Sequence, residues 1–570
     1  MTDPQRPSEP TRRPVPGTPG AAEAPSAAPG PDEPEEERSG WSRRAVIGTA
    51  SLIALLVAVG LFAAFTVTPG PDQEALTRPA GAEVVVSGGT PLSWDPAAIT
   101  DGVSAQVLSQ LYEGLTVLDA SSQVQPALAA SWQVEEEGRR IVFGLRDGLT
   151  FSDGTPLTAE DVQRSWLRVI DPASPSPLSS LLDDVAGAAA YARGEGSVED
   201  VGIHADGLAL TIDFERPAAY FPAVAAVPSL AVVPTGILEQ ARGPEDGVAF
   251  TASGAYIPVE QELGQIRLGG NAHYWAGTPP IDDVAIITDD GGRSQVDIFE
   301  DEAVDWTRIS SLDASWIRYD RYLGPQLRHA EEMIVDFLGF DTTTAPFDDA
   351  AARRAVAMAV DWRRLATLDG DDDPLPTSMV PPGIASRGEG DYLLPYDPEA
   401  ARAELAAAGF PDGDGFPAIS LATYGVGPGE AIAADLQREL GIEVNVELRP
   451  FGEHSALLDG DSPAMWTLAW SADYPHAHDF LGLLLAGDSS ANLSGWSDPE
   501  YDALIEAAAA TGDAAEQARL YDEAQLIVRE EAPVIPLGYG GSWWLSRDGL
   551  QGGLISGVGI LRYTDLAWVD

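Results

Sequence analysis

The stretch "PALAASWQVEEEGRRIVFGLRDGLTFSDGTPLTAEDVQRSW", residues 126–166, places strand-like runs directly before a helix with clear boundaries. Within it, "RRIVFGLRDGLTF", residues 139–151, carries several β-branched and aromatic residues. This pattern predicts two strands, or a hairpin that turns at Asp147-Gly148. Strands that alternate with helices are typical of a mixed α/β protein.

The helix at the end of this stretch has a recognisable start and stop. Thr158 is the predicted N-cap, and Asp161 stands three residues later, where a capping box places an acid. Pro172 is the predicted stop. The expected apolar stripe of the helix consists of Val162, Trp166 and Val169.

The same pattern continues along the chain. Asp397 caps another predicted helix, Pro398 occupies its first turn and Gly409 ends it. The roughly 490 residues after the N-terminal region are enough for two or three domains. Strands are predicted at residues 82–88, 208–214, 284–288, 443–451 and 534–540.

Composition limits the possible functions. The 570 residues include no Cys, so disulfides, thiolate metal sites and thiol nucleophiles are excluded. The chain has 89 acidic residues against 33 basic ones, all of them Arg. A net charge of −56 makes nucleic acid a poor partner. It indicates either a halophilic protein adapted to high salt or simply the composition of a high-GC genome.

The N-terminal region predicts export. Residues 1–40 have almost no large apolar residues and are expected to form a disordered cytoplasmic tail. Within the segment 41–68, Ala45 to Val67 are 23 residues without a charge, long enough to cross a membrane as a helix. Arginines before this run orient the tail inward. We therefore expect a single-pass protein of the cell membrane, with a linker at 69–81 and an extracytoplasmic C-terminal part. A cleaved twin-arginine export signal is the alternative.

Enzyme motifs are missing from the sequence. It contains no nucleophile elbow, P-loop, zinc-protease motif or dinucleotide fingerprint. We therefore expect neither enzymatic activity nor a cofactor.

Seven segments together resemble one family, the solute-binding proteins of peptide-type ABC importers (family 5, the dipeptide, oligopeptide and nickel group). The resemblance covers nearly all of residues 83–570 and is greatest for the oligopeptide-binding branch. These segments are residues 92–119, 126–166, 252–258, 271–275, 345–361, 396–417 and 531–540.

This resemblance implies a two-lobe, periplasmic-binding-protein-like fold of class II, the three-region peptide-binding type, after a single transmembrane helix. A peptide would be enclosed between lobes that hinge shut, and a membrane permease would take it up. The implied regions are lobe I at 82–125, 235–330 and 533–570, domain II at 126–234, and lobe III at 331–532.

The resemblance also locates a site in "WSADYPHAHDF", residues 470–480. Asp473 falls where the oligopeptide branch pairs an acid with the α-ammonium of the ligand, and a charge-assisted hydrogen bond suits that role. The alternative is a loop carboxylate that caps the next turn. Trp470 could line a side-chain pocket or belong to the core. Thr467 stands where the branch can use an Arg for the ligand carboxylate. Lesser candidates are Tyr474, Thr423, Tyr424, Phe451, Asn492 and Tyr539.

A metal site is the alternative interpretation of the same stretch. His476 and His478 would point to one side of an extended segment, and Asp479 follows them. Transition metals usually need three or four ligands, so this cluster is incomplete. A nickel-type metal or metal-chelate binder of the same fold, and a signalling ectodomain that has lost transport, remain the alternative functions.

Overall fold

The structure, a computed structural model, describes residues 83–569 except 245–249, 369–375, 426, 459, 461 and 462. The predicted tail, membrane segment and linker of residues 1–81 lie outside the described residues. Within the described part, no helix is both long enough and apolar enough to span a bilayer.

Two sheets form the framework of the described chain. The large sheet has ten strands in the order β14-β13-β15-β12-β16-β11-β1-β10-β9-β8, and the small sheet has four in the order β4-β5-β7-β6. Two further pairs are β2-β3 and β17-β18. The strands are β1 (Val84–Ser87), β2 (Thr116–Leu118), β3 (Val124–Pro126), β4 (Ala129–Glu135), β5 (Arg140–Leu145), β6 (Ile203–Asp206), β7 (Ala209–Asp213), β8 (Tyr256–Glu262), β9 (Gln265–Gly270), β10 (Asp283–Ile287), β11 (Trp306–Ile309), β12 (Leu327–Phe340), β13 (Ile419–Tyr424), β14 (Val444–Arg449), β15 (Met465–Ser471), β16 (Val534–Ser546), β17 (Leu550–Gln551) and β18 (Ala567–Trp568).

Helices cover the faces of these sheets, and their caps follow the sequence. Thr158 and Asp161 form the predicted capping box, and Asp397 accepts hydrogen bonds from two backbone amides of its helix. The α-helices are α1 (Gly102–Leu111), α2 (Ala159–Val169), α3 (Ala188–Ala192), α4 (Phe221–Val224), α5 (Ile237–Gln240), α6 (Gln295–Glu300), α7 (Ser311–Ile317), α8 (Ala350–Ala359), α9 (Trp362–Leu368), α10 (Pro398–Ala407), α11 (Gly429–Leu440), α12 (Phe451–Leu458), α13 (Ala477–Leu485), α14 (Pro499–Ala509) and α15 (Ala514–Glu531).

One local prediction is wrong. Residues 139–151 contribute a single strand, β5, and Thr150 makes only an isolated bridge to Pro156. Strand β5 pairs with β4 on one edge and β7 on the other, so both of its edges are occupied. No edge is left for the hairpin partner predicted after Asp147-Gly148.

The small sheet has its own apolar core. Helix α2 packs against it with the predicted stripe, whose three members are fully buried. The Trp166 ring meets Phe143 and Phe221 edge to face at 6.5 and 5.6 Å. This arrangement is favourable for aromatic pairs and accounts for the well-defined core.

Strands β12 and β16 lie side by side at the middle of the large sheet and connect its two halves. They pair through Leu327–Glu331 and again through Val335–Gly339, with a register shift between. At this shift the Met333 backbone turns to other partners: its amide donates to Gly557 O, and its carbonyl accepts from Ala472 N. A shifted pairing of this kind leaves a bend between two regular ladders.

Candidate ligand-binding site

Strand β15 leads into the predicted site. It pairs with β12 over its whole length, but with β13 only at Met465 and Trp466. Beyond Trp466, β15 therefore has one edge that β13 does not cover. The Ala469 amide on this strand donates to the Tyr424 hydroxyl at 2.9 Å.

After β15 the chain turns into helix α13. His476 is the N-cap of that helix, and its Nδ1 accepts from the His478 amide at 3.2 Å. The extended geometry predicted for His476 and His478 is therefore wrong, because capping places the second histidine inside the first helical turn.

Asp473 lies in the turn between β15 and α13, half-buried. Among the described residues, no hydrogen-bond donor or basic group lies within bonding distance of its carboxylate. Burial raises the pKa of this carboxyl above its ordinary value. The side chain lines a space of about 200 Å³, which we call the inner cavity.

Side chains from distant parts of the chain line the inner cavity. Apolar groups provide most of its wall, and its acidic and basic side chains are Glu113, Asp473 and Arg562. Burial raises the pKa of Glu113, which accepts hydrogen bonds from the Tyr274 hydroxyl and the Trp275 indole. The sequence prediction missed Glu113 and Arg562. Glu113 lies inside a segment that resembles the family, but nothing in its pattern marked it.

A second space, the main groove, adjoins the inner cavity. Its volume is about 560 Å³, and its wall includes Ser87–Gly89, Ser471 and Gly557–Gly559. Because Ser471 lines the groove and Asp473 lines the inner cavity, the chain passes from one space to the other within three residues.

A second acid lies beneath Asp473. Asp479 is fully buried, and its Oδ2 accepts from Trp470 Nε1 at 2.8 Å and from the Asp473 amide at 3.4 Å. Its Oδ1 has no partner among the described residues. Burial and the charge of Asp473 raise the pKa of Asp479 well above its ordinary value. Trp470 therefore orients this acid, while its ring lines a separate cavity of about 310 Å³ that Phe451 also borders.

Two tyrosines of the prediction line a third space of about 550 Å³, which Thr467 also borders. Tyr424 meets Phe451 edge to face at 5.4 Å, and Phe451 is mostly exposed. The Tyr539 hydroxyl donates to Ser378 O at 2.8 Å and accepts from the Ser378 amide at 3.0 Å. The polar atom of Tyr539 is therefore committed to the fold.

Three other candidates lie away from the inner cavity. The Asn492 amide donates to Leu485 O, Ala486 O and Trp496 O and thereby secures the end of α13. Tyr474 and Thr423 are both buried, and neither lines a described cavity. The structure therefore brings Asp473 to the cavity but not these residues.

The histidines are engaged in packing. The His478 ring stacks on Tyr220 at 3.9 Å, and its Nδ1 forms a 2.9 Å hydrogen bond with the Tyr474 hydroxyl. Burial lowers the pKa of His476 to about 4 and that of His478 to about 3, so both are neutral at pH 7. Among the described residues, no cluster of three or more His, Asp or Glu could hold a metal ion. The geometry thus gives the metal alternative no support.

The chain is similar to proteins of one family over most of its length. Residues 123–492 match the model of the middle region of bacterial extracellular solute-binding proteins, family 5. The probable deoxycholate-binding periplasmic protein YgiS of Escherichia coli is 29% identical over 469 residues, 79% of this chain and 86% of YgiS. The oligopeptide-binding protein OppA of Bacillus subtilis is 24% identical over 493 residues, 82% of this chain and 89% of OppA.

Solved structures agree with the fold. The unliganded open form of MppA, a periplasmic murein tripeptide binding protein, superposes with a TM-score of 0.76 at 23% identity, covering 87% of this chain and 99% of MppA. Haemophilus influenzae OppA in complex with the peptide RPPGFSPFR gives 0.63 at 21% identity, covering 87% of this chain and all of that one. The described chain thus has the two-lobe periplasmic-binding-protein fold, and its relatives are solute-binding proteins and not enzymes. The chain belongs to the family 5 bacterial extracellular solute-binding proteins.

Proposed function

We propose that this protein captures peptides by their free amino end at Asp473 and delivers them to an ABC permease. One observation carries the proposal. The Asp473 carboxylate is half-buried, has no cationic partner among the described residues, and lines the inner cavity two residues after Ser471, which lines the main groove.

Such a carboxylate suits an ammonium ligand. Burial without a counter-ion disfavours its ionised form, as the raised pKa of Asp473 indicates. A bound ammonium would supply the missing charge and form a charge-assisted hydrogen bond in a space with little water. Every linear peptide with a free N-terminus carries this group.

The surroundings of Asp473 suit an extended backbone. Ser471 is the last residue of β15, and the glycine-rich backbone of Ser87–Gly89 lies across the main groove. A peptide in this groove could pair with strand edges, as in β-augmentation. Volumes of about 560 and 550 Å³ leave room for its side chains.

Several relatives bind peptides by name, including OppA and the dipeptide-binding protein DppE of Bacillus subtilis. YgiS is named for deoxycholate, a bile acid with a carboxylate and no amine. Asp473 would repel a carboxylate and would gain nothing from a ligand without an amine. Peptides therefore fit this site better.

Anchoring and closure complete the proposal. The apolar run at 45–67 would hold the protein in the cell membrane, with the C-terminal part outside, next to its permease. Lobe III, at 331–532, would close on lobe I about the register shift of β12 and β16.

A native mass spectrum of the full-length protein purified from its own cells tests the proposal. We expect bound species whose fragments are peptides with free N-termini, since tight ligands co-purify. A bound bile acid or nickel ion in the absence of peptide would contradict it.

A further inference from the structure

A short hairpin separates the inner cavity from the main groove. This partition hairpin, Ile555–Leu561, is closed by a bridge between its end residues, and Val558 at its tip lines both spaces. The Gly557 amide donates to Ser122 Oγ at 2.6 Å, and Gly557 O accepts from the Met333 amide at 2.6 Å. The tip is therefore held from both sides.

Arg562 follows this hairpin directly and lines the inner cavity. Its Nη1 lies 3.5 Å from Leu118 O, at the limit of a hydrogen bond. Among the described residues no carboxylate is within ion-pair distance of it. The positive charge of Arg562 acts to lower the pKa of Glu113, but both Glu113 oxygens already accept hydrogen bonds from Tyr274 and Trp275. Most guanidinium donors are therefore available to a ligand.

We infer that Arg562 binds a carboxylate of the same ligand whose ammonium is bound by Asp473. The inference deepens the proposed function and rests on it. The two side chains line one cavity with opposite charges, and the wall between them is largely apolar. A short apolar ligand with an ammonium at one end and a carboxylate at the other would complement both charged side chains and the apolar wall between them.

The volume of the inner cavity limits the size of the ligand that can lie inside it. A volume of about 200 Å³ is below the ~300–1,000 Å³ of typical small-molecule pockets. Two kinds of peptide meet the requirement. One is a zwitterionic dipeptide that lies entirely inside, and the other is a longer peptide in the main groove whose first side chain is acidic.

Isothermal titration of the full-length protein in detergent separates these sources. The dipeptide arm compares Ala-Ala with Ala-Ala-amide, and the longer arm compares Glu-Leu-Leu-amide with Gln-Leu-Leu-amide. In one arm or the other, we expect the carboxylate ligand to bind roughly tenfold to a hundredfold more tightly, as for a charge-assisted hydrogen bond. The arm that shows this preference identifies the source.

Variants assign the preference to the arginine. Arg562→Gln should abolish it, Arg562→Lys should retain part of it, and the surface control Arg321→Gln should leave it unchanged. Melting temperatures confirm that each variant is folded, and the lysine variant supplies the test if the glutamine variant is not.

Two results would overturn the inference: no carboxylate preference in either arm, or a preference that survives Arg562→Gln. If peptides still bind and binding depends on Asp473, only the role of Arg562 fails. If no peptide binds at all, the proposed function fails as well.

Discussion

Replacing Trp470 by Phe removes one hydrogen bond beneath the proposed site. The indole Nε1 donates to Asp479 Oδ2 at 2.8 Å, and the other Asp479 oxygen has no partner among the described residues. An unsatisfied buried acceptor costs about 1–3 kcal/mol, and more when it is charged. Trp470→Phe would leave Asp479 Oδ2 with only the 3.4 Å contact from the Asp473 amide, so we expect it to destabilise the protein by about 1–3 kcal/mol.

The pH dependence identifies the cause. The Trp470 hydrogen bond favours ionised Asp479, so its loss raises the pKa of Asp479 further in the folded state. At pH values below the pKa of Asp479 in the folded parent and in the folded variant, its carboxyl is neutral in both proteins. Loss of the Trp470 hydrogen bond then has its smallest effect on stability. The stability difference should therefore grow as pH rises through the raised pKa of Asp479.

Trp466→Phe is the matched control. Trp466 lies on the same strand and is buried, but its indole nitrogen has no hydrogen-bond partner among the described residues. Thermal melting of both variants between pH 4 and 9 is the assay. The control should lose stability through its smaller ring by an amount independent of pH. Equal pH profiles for Trp470→Phe and Trp466→Phe would refute the reasoning.

Three further outcomes are expected. Asp473→Asn should raise the melting temperature of the ligand-free protein at pH 8, where burial makes the ionised carboxylate unfavourable; the gain should shrink as pH falls through the raised pKa of Asp473 and be lost below the ordinary pKa of the unfolded chain, and an unchanged melting temperature at pH 8 would contradict this. Melting temperature should rise markedly from low to molar NaCl, because salt screens the net charge of −56, and a flat profile would leave the acidic composition without this role. Protein from membranes should need detergent for extraction and begin near Met1; a mature N-terminus at or after Val67 would indicate cleavage instead.

Local signals in the sequence predicted much of the fold. The capping box of Thr158 and Asp161 involves only neighbouring residues, and a run of three valines marks the strand at 84–87. The hairpin at Asp147-Gly148 failed because the partners of β5 are β4 and β7, and β7 lies some 60 residues later. No feature of residues 139–151 indicates the pairing of β5 with β7.

The site shows the same limit. A motif within one segment placed Asp473 at the cavity. Arg562 and Glu113 meet it only through the tertiary fold, because they come from opposite ends of the chain. Asn492 and Tyr539 looked equally suitable in sequence, but their polar atoms are used in helix capping and loop packing. Hydrogen bonds of this kind can be identified only from the tertiary structure.

The central claim is that Asp473 recognises the free amino end of a peptide. The most direct measurement is titration of one tripeptide and its N-acetylated form into the parent protein, Asp473→Asn and the exposed control Asp206→Asn. Loss of one partner of a buried charge pair costs about 2–5 kcal/mol, or roughly 30-fold to several thousand-fold in affinity. We predict that acetylation weakens binding by this factor in the parent and in the control, and that Asp473→Asn weakens binding of the free-amine peptide far more than binding of the acetylated peptide. Equal affinity of the parent and Asp473→Asn for the free-amine peptide would contradict it.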